Sequence, residues 1–189
     1  MIIKFKAYYL LIGFFLLFSS AYTQDQKEAD SLFLIYQKNE LQGEARMKLL
    51  NELGLNEMND LDATLKYANE LITLATSLNN YVYVFEGYVI KGNTYRQQGE
   101  FDKALEALFK SSDAAKKAKN LEAEAISYIS IADVYSEIGN SSNSELYYEK
   151  GIEISRKLDE PITLASALFN AGDEYFNNQN YDKALKNFE

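Results

Sequence analysis

The chain of 189 residues contains no cysteine and no histidine. The absence of cysteine excludes disulfide bonds and thiolate nucleophiles, and the absence of histidine removes the commonest general base. Together the two absences remove the nitrogen and sulfur ligands of ordinary zinc sites. Carboxylate pairs such as Glu149 and Glu153 are interpreted as a solvated acidic face. We therefore expect no catalytic residue, no metal site and no cofactor, and a protein that is not an enzyme.

Proline and glycine are also scarce, with one proline and nine glycines. These are the residues that interrupt helices most strongly, so the chain is free to be helical over nearly its whole length. Without disulfide bonds, the stability of this domain has to come from packing.

Basic residues are outnumbered, since 19 Lys and Arg face 28 Asp and Glu and give a formal charge of −9. Phosphate contacts need clustered basic side chains, and anionic lipid surfaces repel acidic ones. We expect a protein or peptide partner, no nucleic acid, and no contact of the mature domain itself with a membrane.

Long apolar runs are limited to the N-terminus. Lys4 and Lys6 precede an apolar run over residues 7–18, and small residues follow. This order predicts a secretory signal peptide over residues 1–23, cleaved after Ala21 or Thr23. The alternative is an uncleaved anchor, but the run is nearer to about 12 residues than to the roughly 20 that span a bilayer. We expect an exported protein, periplasmic or secreted.

The remaining sequence repeats with a period of 40 residues. Tyr95, Tyr135 and Tyr175 stand at this spacing, and each follows a small residue by three positions: Gly92, Ala132 or Gly172. A fixed period of about 20–50 residues is typical of arrays of stacked units. Apolar residues recur at helical spacing in each half of a unit, with a break between the halves. The pattern predicts two antiparallel helices per unit.

The period also predicts the boundaries of the units. They run over residues 41–80, 81–120, 121–160 and 161–189, and the last is incomplete because Glu189 falls inside its second helix. Gly99, Gly139 and the segment around Gln179 are expected to separate the two helices of a unit. Residues 24–40 are predicted to form a capping helix that covers the open face of the first unit.

Positions that stand 40 residues apart in successive units are called a column. The second unit carries a recognisable set of column residues: Tyr88, Gly92, Tyr95, Gly99, Phe101, Ala104 and Leu108. The third and fourth units repeat many of them, although Ser141 and Ser144 replace the aromatic residue and the alanine in the third. The set resembles the tetratricopeptide repeat. The resemblance implies an all-α fold, an α-solenoid of antiparallel helix pairs wound into a right-handed superhelix of about four units.

The same resemblance implies a binding surface. In tetratricopeptide repeats the first helices of successive units line a concave groove that holds a peptide or protein segment. Val89, Ile129 and Phe169 would be apolar anchors, and polar neighbours would hydrogen-bond an extended backbone. The alternative is that these residues only solvate or pack the inner helices. The implied partner-binding residues are Glu86, Val89, Asn93, Arg96, Ile129, Asp133, Glu137, Phe169, Asp173 and Phe176.

Two functions are compatible with the sequence. The first is a non-catalytic scaffold, exported across the inner membrane, that binds a protein or peptide in its groove. The second is the periplasmic signal-input domain of a truncated membrane-bound sensor, a histidine kinase or a transcriptional regulator, because the chain resembles exported bacterial arrays of that kind. The second predicts that an apolar stretch of about 20 residues follows Glu189. A subunit of an outer-membrane uptake assembly is disfavoured because no cysteine is available for lipidation.

Overall fold

A computed structural model describes residues 27–57, 59–158 and 161–188. These residues form helices joined by short turns, and no strand occurs among them. Residues 27–38 are helical and are labelled α1. The helices that follow are α2 (Gly43–Asn56), α3 (Leu61–Ser77), α4 (Tyr81–Gln97), α5 (Phe101–Ala118), α6 (Leu121–Glu137), α7 (Ser141–Ser155), α8 (Pro161–Asn177) and α9 (Tyr181–Phe188).

The turns recur at fixed places, and a residue in the left-handed conformation follows α1, α3, α4, α5, α6 and α8. Gly99 and Gly139 have φ values of 73° and 79°, and Gln179 takes the same left-handed conformation at 61°. Glycine adopts this conformation without steric cost, which is why it ends helices so often. Asn120 and Asn140 then accept hydrogen bonds from the first turns of α6 and α7. The predicted breaks at residues 99, 139 and 178–180 are confirmed.

The helices form two layers. The first helices of successive units, α2, α4, α6 and α8, approach one another within 8 Å between Cα atoms. In the part of the chain that the structure describes, the second helices make no such backbone approach to each other. Long side chains bridge them instead, as in the ring contact of Phe109 with Tyr147 at 5.8 Å. The layer with the closer spacing lies on the inside of the curve, so the first helices line the concave side.

Small residues let the two helices of a unit pack tightly. A Cβ atom added to Gly92 would lie 2.6 Å from the Leu108 side chain, and one added to Gly172 would lie 2.6 Å from Phe188. Both distances are shorter than any carbon contact tolerates, so the glycines are needed for this approach. The predicted all-α solenoid of helix pairs is the observed fold.

The core is unevenly distributed along the array. A large apolar cluster joins the first two units and includes Leu50, Leu53 and Leu71, all fully buried. The cluster in the last two units is smaller and rich in alanine, with Ala132, Ala167 and Ala171 among its members. Because each unit buries its apolar face against its neighbours, the two ends of the array differ in how much packing holds them.

Helix α1 packs against the first unit. The Tyr36 ring meets the Tyr67 ring edge-on at 5.2 Å, and its hydroxyl donates to Glu70 at 2.6 Å. Asn39 has a φ of 54°, as Asn79 does at the end of α3. Helix α1 therefore ends at the repeat position where second helices end, and the capping role predicted for residues 24–40 stays a prediction.

None of the helices in the described ranges is long and apolar enough to span a bilayer. The predicted signal peptide over residues 1–23 lies outside the described residues.

Candidate binding groove

A cavity of about 310 Å³ opens on the concave side, where α4, α6 and α8 meet. The first helices supply most of its wall, and Tyr148 reaches it from α7. Five of the residues implied by the repeat columns line it: Arg96, Asp133, Glu137, Phe169 and Asp173. The structure thus brings together half of the predicted site, drawn from three units.

Asp133 is the centre of a polar network in this cavity. Its Oδ2 atom pairs with Arg96 at 3.2 Å, and its Oδ1 atom accepts from the Tyr148 hydroxyl at 2.7 Å and from the Asn170 amide at 3.2 Å. Arg96 also contacts Glu137 at 3.5 Å. Burial and the nearby Asp133 carboxylate both raise the pKa of the Tyr148 hydroxyl, which keeps it a donor. The network joins three first helices and holds both oxygen atoms of the Asp133 carboxylate.

Glu174, which also lines the cavity, forms a second network. The residue is only 8% exposed, yet its carboxylate is well satisfied. It accepts from the hydroxyl groups of Ser136 and Ser144 and from the Asn178 amide. Burial alone would raise the pKa of Glu174, but these donors outweigh burial and hold the pKa below its usual value. Glu174 is therefore a buried carboxylate that ties α8 to both helices of the third unit.

The rim of the cavity combines an apolar surface with an exposed charge. Phe169 is 64% exposed, and its ring contacts only the Phe188 ring, at 6.0 Å, among the aromatic residues that the structure describes. Asp173 is exposed one helical turn further along α8 and accepts from the Asn177 amide at 3.2 Å. The exposed Phe169 ring beside the cavity is available for contact with an apolar group of a partner.

Val89 and Asn93 line a different cleft. This cleft has a volume of about 220 Å³ and lies between α2 and α4, with Leu55 and Thr64 also in its wall. It is on the same concave side, one unit nearer the N-terminus. The groove implied by the repeat columns is therefore divided into two hollows. Arg96 lines the hollow between α4, α6 and α8 and not the cleft between α2 and α4.

Glu86, Ile129 and Phe176 lie outside both hollows. Ile129 is 8% exposed, because Gly151 on α7 leaves room for it. It supports the groove from beneath and offers no exposed apolar surface. Phe176 is exposed and packs edge-on against Tyr181 at 5.6 Å. Glu86 is half-buried, its Oε2 atom has no hydrogen-bond partner among the described residues, and burial raises its pKa.

Sequence reasoning missed Tyr148, Asn170 and Glu174. Tyr148 stands 40 residues after Leu108, a buried repeat position, and the other two stand where earlier units carry core residues. One signal was available: Ser144 replaces the alanine of its column, and this hydroxyl donates to Glu174 at 2.9 Å. A polar residue in a buried column indicates a polar partner nearby, since buried hydroxyl groups are almost always hydrogen-bonded.

The groove offers carboxylates, amides and an aromatic surface. Within the described ranges no group of three or more Asp or Glu is arranged to hold a metal ion. The carboxylates, amides and aromatic surface of the groove can form ion pairs, hydrogen bonds and apolar contacts.

Two family models described as tetratricopeptide repeat match the chain, over residues 83–157 and residues 165–189. Together they cover more than half of the sequence. The chain belongs to the tetratricopeptide repeat family. No curated protein sequence matches it.

Solved structures share the fold at low identity. A Rap protein complexed with Competence and Sporulation Factor is 16% identical with a TM-score of 0.78, covering 88% of this chain and 48% of its own. The apo form of RapI is 20% identical with a TM-score of 0.75, covering 90% of this chain and 65% of its own. BtubC from P. vanneervenii is 16% identical with a TM-score of 0.68, covering 88% and 68%. The chain thus spans about half to two thirds of the two Rap structures, and the likeness establishes the solenoid fold.

Proposed function

We propose that this tetratricopeptide repeat protein is a non-catalytic scaffold that binds a protein or peptide segment in its concave groove. The observation that carries the proposal is the hollow between α4, α6 and α8, where fixed polar groups surround an opening next to the exposed Phe169. Fixed groups favour binding because little side-chain entropy is lost when the partner arrives.

The organisation of the Asp133 network supports this proposal. Each of its oxygen atoms is held by a neighbour, so the carboxylate cannot turn away when a partner approaches. Similarity to a Rap protein that was solved with a bound factor adds support at the level of the fold. Tetratricopeptide repeats in general act as scaffolds, which agrees with the absence of histidine and cysteine from the sequence.

Export is part of the proposal and rests on the sequence of residues 1–23. The order of charge, apolar run and small residues supports a cleaved signal peptide. The test is to express the full chain in a bacterium and sequence the N-terminus of the soluble periplasmic fraction. A new N-terminus after Ala21 or Thr23 is expected, and full-length protein confined to the cytoplasm would contradict export.

The binding function is tested by selection from a displayed library of random peptides. The selected peptides are then titrated by calorimetry against two matched variants, Phe169→Ala in the groove and Phe109→Ala on the convex helix α5. Both side chains are exposed aromatics with one ring neighbour each among the described residues. We expect Phe169→Ala to weaken binding about tenfold or more and Phe109→Ala to change it little. Recovery of no binder, or equal sensitivity to both changes, would contradict the proposal.

A further inference from the structure

In the last two units the inner helices carry acidic side chains and no basic ones. Helices α6 and α8, which belong to the inner layer, contain no Lys or Arg. Their carboxylates are Glu122, Glu124, Asp133, Glu137, Asp173 and Glu174. On the outer layer, the hollow between α7 and α9 has more cationic than acidic residues in its wall: Arg156, Lys157, Lys183 and Lys186 against Glu149 and Glu153. The concave side of the last two units is thus the acidic one.

The groove cavity concentrates this negative charge. Four carboxylates line it, and Arg96 is the single cation among its described lining residues. The Arg96 guanidinium is shared between Asp133 and Glu137, at 3.2 and 3.5 Å. Glu174 is ionised at neutral pH because its hydrogen bonds hold its pKa low. The cavity keeps a surplus of negative charge that its own residues do not neutralise.

Two of the four carboxylates are within reach of a partner. Asp173 is exposed and Glu137 is about half-exposed, and both stand at the mouth beside Phe169. A volume of about 310 Å³ is at the small end of ligand pockets, which span roughly 300–1,000 Å³. It admits one or two side chains of a bound segment.

We propose that the groove selects an extended peptide segment in which a Lys or Arg side chain stands beside an apolar one. The cationic group lies among Glu137, Asp173 and Asp133, and the apolar side chain lies against Phe169. This inference rests on the proposed function and names the chemistry of the partner. Charge complementarity of this kind contributes chiefly to specificity and to the rate of association, and salt weakens it.

The test uses a positional-scanning library of N-acetylated, C-amidated octapeptides, so that no terminal charge competes with the side chains. Binding of each mixture to the full chain is measured at 50 mM and 500 mM salt. We expect one position at which Lys and Arg mixtures bind about tenfold more tightly than Asp and Glu mixtures at low salt. The preference is expected to shrink at high salt because the exposed carboxylates are screened.

Two double variants localise the preference. Glu137→Gln with Asp173→Asn removes two charges from the mouth of the cavity. Glu153→Gln with Asp113→Asn removes two exposed charges of the same types from the convex helices α7 and α5. We expect the first pair to reduce the preference for Lys and Arg to less than about threefold and the second pair to leave it unchanged. Circular dichroism checks that both proteins remain helical.

The outcomes separate this inference from the proposed function. If mixtures bind in a way that Phe169→Ala abolishes but show no preference for Lys or Arg, the inference is wrong and the groove still binds peptides. A preference that survives Glu137→Gln with Asp173→Asn also overturns it. If no mixture binds in a manner that depends on Phe169, the proposed function fails and the inference fails with it.

Discussion

Equivalent repeat positions are buried in the apolar core in the first unit and line the groove cavity in the fourth. Leu50 and Leu53 are buried in the apolar cluster of the first two units. Asn170 and Asp173, at the same positions three repeats later, line the groove cavity. The backbone is equivalent in both places, so the repeat determines where a side chain is placed, and the side chain determines whether the position packs or binds.

The intermediate units show how this change is accommodated. The column that begins with Gly54 continues as Thr94, Val134 and Glu174, and all four residues are buried. Glu174 is tolerated in a core position because Ser144 and Ser136 supply donors. The buried carboxylate of Glu174 thus takes donors from two neighbouring helices, whereas the Thr94 hydroxyl donates to the Ile90 carbonyl of its own helix.

The largest loss of stability is expected at position 50, which is buried in the first unit, and not at the equivalent position 170 in the fourth. Leu50→Ala should lower the free energy of unfolding by about 3 kcal/mol, because it leaves a cavity in a fully buried cluster. Asn170→Ala, at the equivalent position, should cost about 1 kcal/mol or less, since it removes one hydrogen bond to Asp133. Urea unfolding of the two variants measures the difference. Equal losses would mean that the two positions are not used differently.

The next effect concerns the buried carboxylate. Glu174→Val places in the fourth unit the residue found at position 134 and should cost about 2 kcal/mol, because the donors from Ser144 and Asn178 lose their acceptor. Glu174→Gln keeps an acceptor oxygen and should cost less. Glu153→Gln, an exposed control on α7, should lie within about 0.5 kcal/mol of the parent. A stabilised Glu174→Val protein would show that the polar network does not hold α8 in place.

A third prediction follows from the low pKa of Glu174. Its folded-state pKa lies below the ordinary value of 4.5, so the stability that it contributes is present above that value and is lost as the pH falls through the folded-state pKa. From about pH 5 downward, the parent should therefore lose more stability than Glu174→Gln does. The readout is the difference in unfolding free energy between the two proteins across this range. A constant difference would contradict the assignment of an ionised Glu174.

The smallest effect has the opposite sign and concerns Glu86. Burial raises the pKa of this carboxyl, so its ionisation in the folded state becomes unfavourable as the pH rises above 4.5. Glu86→Gln should stabilise the protein at pH 7, by less than about 1 kcal/mol, and the gain should vanish in acid. Thermal unfolding at pH 4 and pH 7 measures it. A gain that is the same at both values would exclude ionisation as the cause.

Much of the fold could be predicted from the sequence because the same helix breaks and small residues recur in successive units. The breaks at Gly99 and Gly139 and the close approach at Gly92 follow from one period and from the properties of glycine. The period does not predict how much apolar side-chain surface each pair of units buries. It therefore predicted neither the large apolar cluster of the first two units nor the smaller cluster of the last two.

The sequence predicted on which side of the solenoid the site lies, but not all of the residues that form it. Repeat columns placed Arg96, Asp133 and Phe169 on the concave side because first helices share an orientation. They could not place Ile129, which is buried because Gly151 on another helix leaves space for it. They could not identify Glu174 either, since its column is apolar or small elsewhere. Contacts between residues of different columns depend on the sizes of side chains in neighbouring helices. The repeat period gives no information about those sizes.

The most direct test of the binding groove is photo-crosslinking with benzoylphenylalanine at either of two positions, 169 on the concave side or 109 on the convex side. Each protein is irradiated with a peptide recovered from the displayed library, and the crosslinked product is quantified by mass spectrometry. We expect the product with position 169 and only background with position 109. Crosslinking at position 109 with background at position 169 would contradict a concave binding site.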